Sequence, residues 1–251
     1  LAVGSFLNVC ICRLPEGESV AGPPSHCPCC GKRLGVPDLI PVLSYMLLGG
    51  RCRYCGAGIS PRYVLVELLT SAVYLALFWK YGLTAGFTAM AYLMSILIAV
   101  FFIDLEHKII PNQLVLAGLA GALPLMVYNF FRPMPVYGDS RWWSPLLGII
   151  PGSVFLLLVA AVGALIYRTD DAMGMGDVKI FAPIGIFLGW KLCITALFIS
   201  IIIGGVSSVF LIITGIKGRR DTIPFGPFIV IGTFAAIMWG STVLDWYMGK
   251  F

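Results

Sequence analysis

Two aspartates, Asp104 and Asp177, lie at the ends of strongly apolar stretches of the chain. An ionised carboxylate at the boundary of a lipid bilayer is costly, so acids in such places are functional candidates. Two carboxyl groups that share one proton can hydrolyse a peptide bond, because one activates water while the other protonates the carbonyl oxygen. Gly174 and Gly176 precede Asp177 and let the backbone approach closely at a turn. The two aspartates are therefore candidates for a peptidase pair.

The residues alone also allow plainer interpretations of both acids. Asp177 could serve only as a helix N-cap, and Asp104 could be a boundary charge paired with Lys108 or His107. On chemical grounds, three further acids near the same face could join a pair, namely Glu106, Asp170 and Asp171. The chain has no zincin spacing and no phosphate-binding loop, which leaves aspartyl chemistry if it is an enzyme.

Glu67 is an acid of a different kind, because it lies about a turn and a half inside an apolar stretch. It could pair with Arg62 or Arg51 at the interface.

A small transporter or a zinc-knuckle membrane scaffold is the competing functional class, with the aspartates as a proton relay or as boundary charges. A transporter would place acids deeper in the spans and show an internal repeat, and the sequence has neither.

Four cysteines form two Cys-x-x-Cys pairs, each followed at once by a glycine, in the polar segment of residues 10–61. The pairs are Cys27 with Cys30 and Cys52 with Cys55. This spacing is typical of zinc knuckles, and thiolates for a metal are expected in a reducing cytoplasm. The sequence therefore predicts a structural zinc site on these four cysteines. Cys29 could replace Cys27 or Cys30 as a ligand, and His26 is a less favoured fifth donor.

The composition indicates a membrane protein with many spans. Of 251 residues, 59% are hydrophobic and only 12% are charged, which is more apolar surface than a soluble core of this length could bury. The net charge of +5 fits basic loops that contact anionic lipid headgroups, and nucleic acid is not an expected partner.

Stretches of about 20 apolar residues predict the membrane spans. A short span is predicted at 178–190, in a hairpin with the next, and residues 1–9 are read as the tail of a first span that begins upstream. The full-length spans are predicted near residues 63–80, 84–103, 112–131, 145–167, 192–214 and 224–246. We therefore expect an all-α polytopic membrane protein of about eight transmembrane helices with a small cytoplasmic insert.

The distribution of basic residues predicts the orientation of these spans. Threading all eight places 12 of the 17 basic residues on one side, which is therefore expected to be cytoplasmic. That side would hold Arg13, Lys32, Arg33, Arg51, Arg53, Arg62, Lys108, Arg168, Lys179, Lys217, Arg219 and Arg220, and the other Lys80, Arg132, Arg141, Lys191 and Lys250. The same threading puts Asp104 and Asp177 at one depth on the cytoplasmic face.

Several motifs occur in the order found in a known family. Besides the two aspartates and the cysteine pairs, they are residues 4–9 (GSFLNV), 13–15 (RLP), 59–63 (ISPRY), 66–67 (VE), 110–112 (IPN) and 174–179 (GMGDVK). With these motifs the chain resembles the type IV prepilin peptidases, bifunctional leader peptidases and N-methyltransferases of type IV pilus, type II secretion and competence systems. The resemblance runs nearly from end to end.

The resemblance implies an aspartic endopeptidase of the bacterial inner membrane whose catalytic residues are Asp104 and Asp177. It implies prepilin or pseudopilin helices as substrates and S-adenosylmethionine as the donor for N-methylation of the new N-terminus, with the binding residues and the oligomeric state left open. Zinc would support the insert. The implied organisation is the end of the first span at 1–9, the cysteine-rich, methyltransferase-associated insert at 10–61 and the peptidase core at 62–251. The four-cysteine insert argues against a peptidase that lacks methyltransferase activity.

Overall fold

The computed structural model describes residues 1–137, 141–167, 174–218 and 222–249, and this described part is helical without a β-strand. The chain divides into two compact units, Leu1–Gly82 and Leu83–Phe251. Six residues that entered the predictions lie outside the described residues, namely Arg168, Asp170, Asp171, Arg219, Arg220 and Lys250. The all-α polytopic membrane architecture predicted from the sequence is confirmed.

The first unit contains three α-helices and the cysteine-rich loops. Helix α1 (Ala2–Arg13) packs against α3 (Arg62–Tyr81), while α2 (Leu43–Leu47) and a 3-10 turn (Val36–Leu39) lie in the connection. The contact between α1 and α3 is close, because a Cβ placed on Gly4 would lie 2.7 Å from the Cα of Glu67. One turn further along, the Asn8 side-chain amide donates to the Tyr63 carbonyl at 2.9 Å.

The second unit contains the remaining helices. They are α4 (Ala85–His107), α5 (Asn112–Phe131), α6 (Ser144–Leu147), α7 (Phe155–Tyr167), α8 (Met175–Ile213) and α9 (Gly226–Met248), with a π-helical turn at Ile150–Val154 between α6 and α7. Helix α4 is the most buried, and it contacts α5, α8 and α9. The stretch from α6 to α7 has most of its apolar side chains exposed, as expected of a helix that faces lipid.

Helix α8 is broken at Gly189, whose φ of +73° is not helical. The phenol of Tyr137 lies in the break, where it donates a 2.9 Å hydrogen bond to the Ile186 carbonyl. Among the described residues, six helices are long and apolar enough to cross a membrane, and α1 is a shorter apolar helix. With α8 counted as two pieces, these make the eight helical segments expected from the sequence.

Helix α4 extends four residues beyond residue 103, near which the membrane span is predicted to end. It closes at Lys108, which adopts a left-handed conformation (φ +55°) and donates its N–H to the Asp104 carbonyl at 2.9 Å. The prediction ended where the apolar residues end, whereas the helix continues through a polar last turn. Asp104 therefore lies inside the helix and not beyond it.

Candidate active site

Asp104 occupies the last turn of α4 and is only 5% exposed. Its Oδ2 atom accepts a 2.8 Å hydrogen bond from the backbone N–H of Gly226, the first residue of α9. The first N–H groups of a helix have no partner within that helix, and they favour a negative charge. The Asp104 side chain thus satisfies one of these groups, and the start of α9 fixes its position.

Asp177 lies in the first turn of α8 and is half-buried. Its N–H donates to the Gly174 carbonyl at 3.1 Å, and its carboxyl group turns back over this glycine. A Cβ on Gly174 would lie 3.0 Å from Asp177 Oδ2. A side chain at Gly174 would crowd this carboxyl group, which agrees with the close turn expected from the sequence before Asp177.

The structure brings the two predicted aspartates together. The two carboxyl groups are close enough to interact electrostatically, although 73 positions separate them in the chain. Within the described ranges, no lysine, arginine or histidine forms an ion pair with either aspartate. Two like-charged groups without a counter-ion share protons more readily than they both ionise.

The plainer interpretation of Asp104 required its side chain to pair with Lys108 or His107. The Lys108 ammonium instead donates to the Thr222 hydroxyl at 2.8 Å, and Asp104 turns toward Gly226. Lys179, two residues after Asp177, donates to the Asn112 side chain at 3.1 Å. The nearby cations are thus engaged by neutral groups.

The other acids lie in different settings. Glu106 is exposed at the end of α4. Glu67 is 6% exposed and accepts a 2.8 Å hydrogen bond from the Val42 backbone N–H, where an arginine partner was one expectation. Asp104 and Asp177 remain the acids that the described structure pairs.

The four cysteines of the two knuckles form one cluster. The sulfurs of Cys27, Cys30, Cys52 and Cys55 all lie within 4.8 Å of one another, and those of Cys27 and Cys55 are 3.8 Å apart. Tetrahedral zinc with Zn–S bonds of about 2.3 Å places its sulfurs about 3.8 Å apart. The cluster therefore fits a zinc ion, and exposed Cys29 is not part of it.

The two knuckles have the same backbone design. In each, a glycine with positive φ, Gly31 (+67°) or Gly56 (+72°), donates its N–H to the carbonyl of the first cysteine at 2.8 or 2.9 Å. The first cysteine, Cys27 or Cys52, then closes a short antiparallel contact by donating its own N–H across the turn. These bonds explain why a glycine follows each Cys-x-x-Cys pair.

Hydrogen bonds and crowding prepare the cluster for a cation. N–H groups of Cys30 and Cys29 lower the pKa of the Cys27 thiol to about 6. A hydrogen bond from Ala57 acts to lower the pKa of the Cys55 thiol. Burial and the neighbouring sulfurs outweigh it and raise this pKa to about 12. Four adjacent thiols cannot all ionise without a positive charge between them, and a bound metal supplies that charge.

Gly226 is the site residue that the sequence did not reveal. A Cβ at this position would lie 2.6 Å from Asp104 Oδ2, so only glycine allows the contact between α9 and the carboxylate. A weak signal was present, because Gly226 is followed by Pro227 in the first turn of an apolar helix. Its partner on α4 is 122 positions away, and no local pattern indicates it.

Comparison with known proteins follows the same division of the chain. Residues 1–81 match the family model for the Bacterial Peptidase A24 N-terminal domain, and residues 91–209 match the model for the Type IV leader peptidase family. No solved structure matches the chain.

Three curated relatives carry the name prepilin leader peptidase/N-methyltransferase. The protein of Bacillus subtilis (strain 168) is 33% identical over 99% of this chain and 94% of its own length. That of Aeromonas hydrophila is 34% identical over 100% of this chain and 92% of its own length. That of Legionella pneumophila is also 34% identical, over 99% of this chain and 92% of its own length. The chain therefore belongs to the type IV leader peptidase family.

Proposed function

We propose that this protein cleaves the leader peptides of prepilins and pseudopilins at the cytoplasmic boundary of the bacterial inner membrane, with Asp104 and Asp177 activating water. It then methylates the new N-terminal residue with S-adenosylmethionine. The observation that carries the peptidase proposal is the buried Asp104, held by the Gly226 N–H and interacting with Asp177.

The pair supplies both proton transfers of peptide hydrolysis. One carboxylate accepts a proton from water as the oxygen attacks the scissile carbonyl, and the protonated partner donates to the carbonyl oxygen. Breakdown of the tetrahedral intermediate breaks the C–N bond, and the amine leaves with a proton returned by the pair. Since Asp104 Oδ2 is held by Gly226, its Oδ1 atom is the oxygen proposed to face the water.

The position of the pair suits a substrate that is itself a membrane helix. Asp104 lies in the last turn of one span-sized helix and Asp177 in the first turn of another. A prepilin has its scissile bond where its apolar helix meets the cytoplasm, so catalytic groups must lie at the end of the spans and not at their middle. A glycine before the cut lets the backbone unwind and reach the acids.

We propose that the cysteine cluster binds a structural zinc ion. Cys27, Cys30, Cys52 and Cys55 would hold it, and it would fix the fold of the insert without taking part in proteolysis. The insert, residues 10–61, is proposed to support the methyltransferase activity named in the relatives. We assign no residues to S-adenosylmethionine.

The proposed orientation rests on the basic residues of the loops. The insert alone carries Arg13, Lys32, Arg33, Arg51 and Arg53. Positive loops stay on the cytoplasmic side of the membrane. On this basis we propose that the insert, Asp104 and Asp177 lie on the side where the leader of a prepilin is found.

One experiment reads both activities. The purified protein in detergent is incubated with a prepilin, with and without S-adenosylmethionine, and the mass of the mature N-terminus is determined. We expect loss of the leader in both samples and the added mass of one methyl group only with the donor. An intact prepilin would refute the peptidase proposal, and a cleaved but unmethylated product would refute the transferase proposal.

A further inference from the structure

The segment between the two cysteine knuckles carries six large apolar side chains that the protein leaves exposed. We name this set the apolar ledge: Val36, Leu39, Ile40, Leu43, Met46 and Leu47. The exposed fractions reach 84% for Leu47, 81% for Val36 and 69% for Met46. The 3-10 turn and α2 together hold five of the six ledge residues. Neither of these two elements has a buried residue. Several exposed large apolar side chains in one short segment indicate a contact with another apolar phase.

A hydrogen bond fixes the depth of this segment. The Val42 N–H, between Ile40 and Leu43 of the ledge, donates to Glu67 Oε2 at 2.8 Å. Glu67 lies five residues beyond Arg62, where the span-sized helix α3 begins, which is about 7.5 Å along the helix axis. Side chains on a helix tilt toward the N-terminus of the helix, so the hydrogen bond at Glu67 Oε2 lies slightly nearer the membrane surface than the Glu67 backbone does. The ledge is thus held at the level of the outermost turns of a transmembrane helix.

The backbone at Val42 shows that this attachment is specific. Val42 has a φ of +64°, which is unfavourable for a β-branched residue, and the Leu43 N–H closes a tight turn onto the Pro41 carbonyl at 2.6 Å. Such a conformation persists where the surroundings determine it. Here Glu67, which is only 6% exposed, accepts the hydrogen bond from the Val42 N–H and holds the turn.

Basic side chains flank the ledge on both sides. Lys32 and Arg33 precede it in the chain, Arg51 and Arg53 follow it, and Asp38 is the one acid between them. Asp38 is itself neutralised by Arg53 at 2.7 Å, and the guanidinium holds its pKa below the usual range. Segments that lie in a membrane interface combine exposed apolar residues with basic ones, and their apolar side is buried about 5–10 Å deep. The attachment at Glu67 falls within this depth.

We propose that the apolar ledge is inserted among the lipids of the membrane interface, with acyl chains as its occupant, and that this contact keeps the cysteine-rich insert against the bilayer. Lipid is favoured over a soluble partner, because the Val42–Glu67 bond holds the ledge at a depth where lipid is already present. A substrate helix reaching the same depth is the competing occupant.

The full-length protein in lipid nanodiscs provides the test. The photoreactive residue p-benzoylphenylalanine is placed at Leu47 or Met46, and at exposed Pro28 in the first knuckle as the matched control. After irradiation, adducts are identified by mass in discs of phosphatidylcholine alone and in discs that also contain phosphatidylglycerol. An unchanged melting temperature and an unchanged zinc content of each variant verify that the fold is kept, including that of the control at Pro28, which lies between the proposed zinc ligands Cys27 and Cys30.

We expect lipid adducts at positions 46 and 47, in higher yield with phosphatidylglycerol, and only background at position 28. Equal lipid adducts at all three positions would overturn the proposal, as would their absence at 46 and 47. Capture of an added prepilin helix at these positions in place of lipid would assign the ledge to the substrate and also overturn it.

Discussion

The N–H of Gly226 donates a 2.8 Å hydrogen bond to Oδ2 of Asp104. This bond joins the first turn of α9 to the last turn of α4. It means that the position of a candidate catalytic carboxylate depends on a glycine far away in the chain. The contact also leaves no space for a side chain at Gly226, because a Cβ there would lie 2.6 Å from the carboxylate oxygen.

Gly226→Ala should therefore impair cleavage. The new methyl group must displace the Asp104 carboxyl group, and a misplacement of about 1 Å at a catalytic group costs about 100-fold in rate. Initial rates of prepilin cleavage, measured with the purified variant in detergent, check this. Gly205→Ala is the matched control, since a Cβ at Gly205 in α8 meets no atom within 4 Å. Equal rates in the two variants would show that Asp104 does not need the Gly226 contact.

The cysteine cluster predicts which thiols hold a metal. Cys27→Ser or Cys52→Ser should lower bound zinc from about one ion per chain to a small fraction, because a four-thiolate site loses a ligand. Cys29→Ser should keep the zinc, since its sulfur is outside the cluster. Elemental analysis of the purified proteins measures this. Methylation should weaken more than cleavage in the first two variants, and an equal loss of both would show that the cluster supports the whole fold.

The zinc site should also depend on pH. Hydrogen bonds from the N–H groups of Cys30 and Cys29 lower the pKa of the Cys27 thiol to about 6, which favours the thiolate form of this proposed ligand at neutral pH. As the pH falls through that value, protons compete with the metal at Cys27, and affinity decreases. Competition with a chromogenic chelator should show the apparent dissociation constant rising roughly between pH 7 and pH 5. An affinity that does not change over this range would contradict a zinc site built from cysteine thiolates.

The hydrogen bond from the Val42 N–H to Glu67 should stabilise the tight turn at Val42. Glu67→Leu removes the acceptor of the Val42 N–H, and a fully buried donor left without a partner costs about 1–3 kcal/mol, which is an upper bound for this half-buried group. Glu67→Gln keeps an acceptor oxygen and should cost less. Hydrogen exchange at the amides of residues 42–48 should accelerate in the leucine variant and change little in the glutamine variant. Similar exchange in the wild type and Glu67→Leu would show that the bond does not hold the segment.

The sequence allowed the elements of the site to be predicted, but not their contacts. The two aspartates and the four cysteines stand out locally, as boundary acids in apolar helices and as paired Cys-x-x-Cys motifs. The apolar pattern predicts where the membrane span ends, whereas helix α4 continues beyond that point through a polar last turn. The contact of Gly226 with Asp104 depends on how α4 and α9 pack, which a local pattern does not encode.

Glu67 shows the same limit in a different form. Its burial was predictable from its place in an apolar stretch, and an arginine is the usual partner of a buried acid. The actual donor is a backbone N–H in a strained turn, 25 positions earlier in the chain. A backbone partner has no side-chain signature, so only the fold of the first unit reveals it.

The central claim is that Asp104 and Asp177 act together as the catalytic pair. Its most direct test is the rate of prepilin cleavage by Asp104→Asn, Asp177→Asn and the double variant, with Glu106→Gln as a control for an acid in the same turn of α4. The cleavage rate of each single variant should fall about 1,000-fold or more, while its melting temperature stays unchanged. The double variant should cleave no more slowly than the single variants, because the two groups act as a unit. Glu106→Gln should cleave at nearly the normal rate. Substantial cleavage by either single aspartate variant would contradict the claim.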